Sequence, residues 1–183
     1  MGAGKYLKGA VVHWTAGNKK PNATELEAYH YLFDDVGEIY YGNLDAYDNA
    51  DCNDNIYARH TGGYNTGRVG ISLCGMLNYK SPKDLGPAPI TRIAWERACM
   101  LVANLARLNN WKINKFNVGK PDEYWEVDKS CLETHWEVGQ RVAASAGKID
   151  IVCLPWALDI DTGDKIGNHL RKTAGWYLKN KMI

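Results

Sequence analysis

The sequence has no run of about 18 apolar residues, the length a membrane-spanning helix needs. Its opening stretch, MGAGKYLKGAVV, contains no apolar segment of signal-peptide length, so the chain is expected to be made as a soluble cytoplasmic product. Gly2 follows Met1, but Tyr6 stands where a myristoylation signal requires Ser or Thr. Blocks of like charge are absent as well. The 22 Lys and Arg balance 21 Asp and Glu to a net charge of +1, which argues against the broad basic face of a nucleic-acid-binding domain. Cysteine is sparse and unpatterned: Cys52, Cys74, Cys99, Cys131 and Cys153 form no Cys-x-x-Cys pair and are expected to be free thiols, mostly buried. Several catalytic signatures are missing too. There is no HExxH zinc motif, GxSxG elbow, Walker loop or EF-hand loop, and the glycines of HTGGYNTGRVG precede a strand instead of opening a helix.

What remains is a chain of 183 residues, 45% hydrophobic, which suits one domain around one core. Residues 8–14 read as a strand, and Thr24 can cap a short helix through ELEAYH. HYLF, DDVG and EIYYG read as strand, turn and strand. Residues 43–67 form a long polar loop, of a kind more often functional than idle. RVGISLCG is a further strand, with Val69, Ile71 and Leu73 on one face. A long helix is expected between Thr91 as N-cap and Asn109-Asn110 as stop, with Ile93, Met100, Leu101, Leu105 and Leu108 as its apolar stripe. Residues 111–130 carry no clear pattern. CLETHWEV reads as a short strand running into a loop, and residues 164–180 carry a second helical pattern in Ile166, Leu170, Ala174, Tyr177 and Leu178. The fold class is α/β or α+β, a mixed central sheet with helices packed on it.

Chemistry is scarce. Of five histidines, His13 ends the strand run AVVH and His135 follows another apolar strand. Lys148 and Asp150 are two apart, so in extended chain they point the same way. A catalytic zinc takes three protein ligands and leaves one position open, and two imidazoles with a carboxylate are a suitable set. His13, His135 and Asp150 supply one if the fold brings the strand ends together; otherwise they are three ordinary residues. His30 is expected to be structural, and His169 to serve surface or packing.

The segments VVHWTAG, AYHYLFDDVGEIYYG, RHTGGYNTGRVGISLCG, THWEV and GKID occur in the order seen in zinc-dependent N-acetylmuramoyl-L-alanine amidases. The chain resembles this type 2 amidase family, which includes phage endolysins and peptidoglycan recognition proteins, over residues 8–155. The resemblance implies one catalytic domain spanning residues 1–183 with no separate wall-binding module. It implies one Zn2+ held by His13, His135 and Asp150, with Cys153 as the alternative third ligand; only Asp150 keeps the lysine-x-ligand spacing. Lys148 matches the lysine that stabilises the transition state in some members, and Tyr29 a tyrosine found in phage members. His60 and Asn65, in the Gly-rich loop, and Trp14 and Trp136, each following a ligand, are candidate substrate contacts; each also has a plain structural reading.

The implied activity is hydrolysis of the amide between N-acetylmuramic acid and L-alanine. The zinc lowers the pKa of its water to about 7 and polarises the carbonyl. The implied partner is peptidoglycan, the expected form a monomer, and the expected role host lysis, as in a phage endolysin. A cytosolic amidase that recycles anhydro-muropeptides, and a peptidoglycan-binding protein without catalysis, are the alternatives.

Overall fold

Five strands build the central sheet: β1 (Gly9–Trp14), β2 (Tyr31–Phe33), β3 (Ile39–Tyr41), β4 (Arg68–Leu73) and β7 (Leu132–Thr134). Their order is β3-β2-β4-β1-β7. β2, β4, β1 and β7 run parallel, while β3 pairs antiparallel with β2 through the expected hairpin. The sheet is therefore mixed, as the pattern predicts. This computed structural model describes residues 6–182. Residues 1–5, where no leader and no myristoylation signal are expected, lie outside the described residues.

Every residue of β1 and β4 is buried, so both faces of the sheet are covered. The two faces differ in chemistry because side chains alternate along a strand. Ala10, Val12 and Trp14 sit in register with Val69, Ile71 and Leu73 and join the main hydrophobic core. Val11 and His13 alternate to the other face, in register with Gly70 and Ser72. The apolar side is covered by α2 (Arg92–Leu108) and α4 (Gly163–Asn180), which pack on each other. The polar side is covered by the loop of residues 43–67, with a 3-10 turn at Ala46–Ala50.

Several local expectations need correction. The first helix, α1 (Ala23–Ala28), is capped by Asn22 in a reciprocal capping box with Glu25, so Thr24 lies inside it. Thr91 caps α2 as expected, but the buried face is Ala94, Trp95, Ala98, Cys99, Val102, Ala103, Leu105 and Ala106. Ile93 and Leu108 are exposed. The buried face combines small residues with Trp95, Val102 and Leu105, and leaves Ile93 and Leu108 at its rim. Residues 111–130 form a two-stranded hairpin, β5 (Ile113–Phe116) and β6 (Tyr124–Val127), which α4 covers. The segment after β7 is not a loop. It is a short helix, α3 (His135–Gly139), closed by a capping box between Thr134 and Glu137. In α4 the expected Ile166, Leu170, Ala174 and Tyr177 are buried. All five cysteines are free, four of them buried.

Candidate metal centre

His13 lies one residue before the end of β1, and His135 follows the last residue of β7, so parallel neighbours deliver both imidazoles to the same end of the sheet. Open α/β sheets usually bind ligands at this carboxyl end. Asp150 arrives from the irregular segment after α3, and its carbonyl accepts from the Trp136 N–H at 2.6 Å, which locks that segment to the start of the helix. Its carboxylate oxygen Oδ2 lies 2.9 Å from His13 Nδ1 and 3.1 Å from His135 Nδ1. The three ligand atoms lie within 4.8 Å of one another, and all three residues are buried.

The charge states suit a cation. Burial pulls the His13 imidazole down to about 4, only partly offset by Asp150, so it is neutral near pH 7. Burial by itself would raise the Asp150 carboxyl, but its contacts with His13 and His135 outweigh that and hold it below the ordinary value. Two imidazoles and one carboxylate are a borderline-soft donor set that fits zinc and leaves a coordination position free.

His135 and Asp150 line a cleft of about 480 Å³ together with Tyr29, Arg59, Asn78, Tyr79 and Lys148, while His13 is fully buried and outside the lining. Tyr29 packs its ring 5.1 Å from that of His13. Burial and then the Asp150 charge push its hydroxyl up, so it remains a donor. Lys148 is exposed at the rim.

The match to the N-acetylmuramoyl-L-alanine amidase family model covers residues 3–140, well over half of the chain. The chain belongs to this family. It is a peptidoglycan amidase of the N-acetylmuramoyl-L-alanine amidase type. No curated protein matches it. The matched segment includes His13, Tyr29, His60 and His135 and stops short of Lys148 and Asp150, which the fold brings to the same cleft as His135. Among the described residues no helix is long and apolar enough to cross a membrane.

The remaining candidates of the amidase divide. His60 lines the cleft but is neither solvated nor free. It is buried, with Nδ1 3.3 Å from His13 Nε2 and Nε2 3.2 Å from the Arg68 carbonyl. It packs against Gly70, where any Cβ would collide with its ring. Burial, with His13 and His30 nearby, holds it well below the ordinary histidine value. Trp14 lines the cleft as wall, almost fully buried and tilted on Tyr79 at 5.0 Å. Trp136 is not part of the cleft lining: its indole packs on Gly163 at the start of α4. Asn65 is also outside it, its Oδ1 accepting from the Thr61 N–H to close the loop. His30 is structural, bonded to Asn49 and to the Gly70 N–H. It borders His60 and so joins the network behind His13. His169 stacks on Trp95. Cys153 stands outside the cluster, and burial raises its thiol away from the thiolate form a ligand needs. Arg59, Asn78 and Tyr79 had gone unnoticed in the sequence; only Arg59, adjoining His60, carried any signal.

Proposed function

We propose that this amidase binds one zinc ion through His13, His135 and Asp150 and cleaves the bond between N-acetylmuramic acid and L-alanine in peptidoglycan, as a lysis enzyme of the phage-endolysin kind. The observation that carries this reading is the convergence of two buried imidazole nitrogens and a buried carboxylate oxygen within 4.8 Å, with His135 and Asp150 lining an open cleft. An intact donor set favours catalysis over metal-free binding. Zinc held there would supply an acidified water and polarise the scissile carbonyl.

The chain's own residues supply the rest. The Lys148 ammonium, on the rim two residues before Asp150, offsets the negative charge that grows on the carbonyl oxygen. Tyr29, still protonated, donates a hydrogen bond to that oxygen or to the attacking water. Arg59 and Lys148 are the only cations among the lining residues, a charge that suits a carboxylate-bearing peptide stem. In this role the protein works as a monomer, is made in the host cytoplasm and reaches the wall after a membrane-disrupting partner has acted.

The test is mass spectrometry of products from intact sacculi and from soluble anhydro-muropeptides. The expected result is release of stem peptides with new L-alanine amino termini from sacculi, abolished by a chelator and restored by zinc. Cleavage indifferent to chelators would overturn the metal mechanism. Activity confined to the soluble fragments would replace lysis with recycling.

A further inference from the structure

The far side of each metal-facing imidazole is hydrogen-bonded, and both sets of contacts lead to the same loop. His13 turns Nδ1 toward Asp150, while its Nε2 lies 3.3 Å from Thr61 Oγ1 and 3.3 Å from His60 Nδ1. His135 likewise turns Nδ1 toward Asp150, with Nε2 3.4 Å from Ser145 Oγ. Ser145 Oγ donates to the Gly62 carbonyl at 2.8 Å.

The polarity of these contacts follows from groups that have no choice. The Arg68 carbonyl can only accept, so His60 Nε2 carries a proton and donates to it. The nearby Asn49 amide does not reverse this. The Ala58 N–H donates to Asn49 Oδ1, so Asn49 Nδ2 is the atom 3.4 Å from His60 Nε2, and its two protons go to the Ala58 and Asn65 carbonyls at 3.0 and 3.4 Å. A neutral His60 then has a bare Nδ1, which accepts from the Thr61 hydroxyl at 2.8 Å. With its proton so committed, Thr61 Oγ1 can only accept, and the His13 Nε2–H is the donor facing it. Ser145 is in the same position: its proton goes to Gly62, which leaves a lone pair for the His135 Nε2–H. In the neutral ring of each ligand these contacts favour the proton on Nε2 and leave Nδ1 for a metal. That tautomer would turn each Nδ1 lone pair to a cation shared with Asp150 Oδ2, which lies 2.9 Å from His13 Nδ1 and 3.1 Å from His135 Nδ1; with no cation there, an Nδ1–H donates to that oxygen instead.

We propose that Thr61 and Ser145 are positioning residues of the amidase, which set the tautomer of His13 and His135, present both Nδ1 atoms to the metal and so set its affinity. The proposal rests on the metal reading given above. Outer-shell hydrogen bonds of this kind change metal affinity by about 10- to 100-fold when removed.

The test is zinc affinity, measured by chelator competition from the zinc-loaded protein. Thr61→Val and Ser145→Ala are each expected to weaken binding about tenfold or more, while Thr61→Ser, which keeps the hydroxyl, retains wild-type affinity. Ring-nitrogen NMR of the wild-type loaded protein is expected to show Nε2–H on both ligands, a readout that needs no variant to fold. Wild-type affinity in both Thr61→Val and Ser145→Ala, or Nδ1–H rings in the loaded protein, would overturn the proposal and leave the metal site standing. A wild-type protein that binds no zinc would overturn both.

Discussion

Lys148 and Asp150 sit two residues apart yet do different work, and substitution separates them. Asp150→Ala removes the only carboxylate of the donor set and leaves two imidazoles, too few to hold zinc, so stoichiometric metal binding is expected to be lost in a metal assay. Lys148→Ala removes no ligand. Zinc content should stay at wild type while turnover falls about a hundredfold or more, as when an oxyanion-stabilising group is deleted. Loss of zinc from both variants would show that Lys148 acts through the metal. At this scale His13 and His135 were legible in the sequence only through the family resemblance, because an imidazole at the end of a strand is by itself an ordinary packed residue. Trp136 and Asn65 were not. Trp136 packs on Gly163, 27 residues later, and Asn65 is spent on the Thr61 backbone. Neither environment leaves a trace in the neighbouring residues.

Short elements set the site, and their ends carry the sequence signal. α3 starts at His135 because Thr134 and Glu137 close a capping box around it, so the ligand is the first residue of a helix with a fixed beginning. The pattern Thr-x-x-Glu stands in THWE, but its first helical residue also completes an apolar strand, which made a strand entering a loop the simpler inference. The approach to β7 depends on Asp128. Its carboxylate accepts from the Ser130 hydroxyl and N–H and from Asn114, and pairs with Lys112, tying the β5–β6 hairpin to the strand that ends at His135. The Ser130 hydroxyl first, then the other contacts against the cost of burial, hold this carboxyl well below the usual range. A carboxyl depressed in the folded state stabilises the fold above its unfolded value of about 3.9 and loses that contribution as pH falls through the folded value. Asp128→Ala is therefore expected to cost about 2 kcal/mol in denaturant unfolding near neutrality. The gap from wild type should narrow progressively in acid below about pH 4. A difference that does not change with pH would assign the effect to packing.

At the scale of the whole molecule, the last helix holds the metal end of the sheet from behind. Arg171 of α4 makes two bonds of 3.0 Å to the Glu137 carboxylate in α3 and one of 3.1 Å to the Leu132 carbonyl, all buried. Arg171→Met leaves the buried Glu137 carboxylate with Lys129 as its only cation and the Thr134 N–H as its remaining donor, which is expected to destabilise the fold by about 3–5 kcal/mol, read as a lower denaturant midpoint with unchanged slope. By itself the sequence determined the layered class, the strands that carry His13 and lead into His135, the hairpin and the last helix, because alternation, helical period and capping are local and each is written within about a dozen residues. Only the tertiary structure decided that Asp150 and not Cys153 meets the two histidines, that Trp136 and Asn65 stand apart from the cleft, and that Thr61 and Ser145 back the ligands. Those outcomes depend on how segments 10 to 137 residues apart meet in space, and distance along the chain carries no record of that.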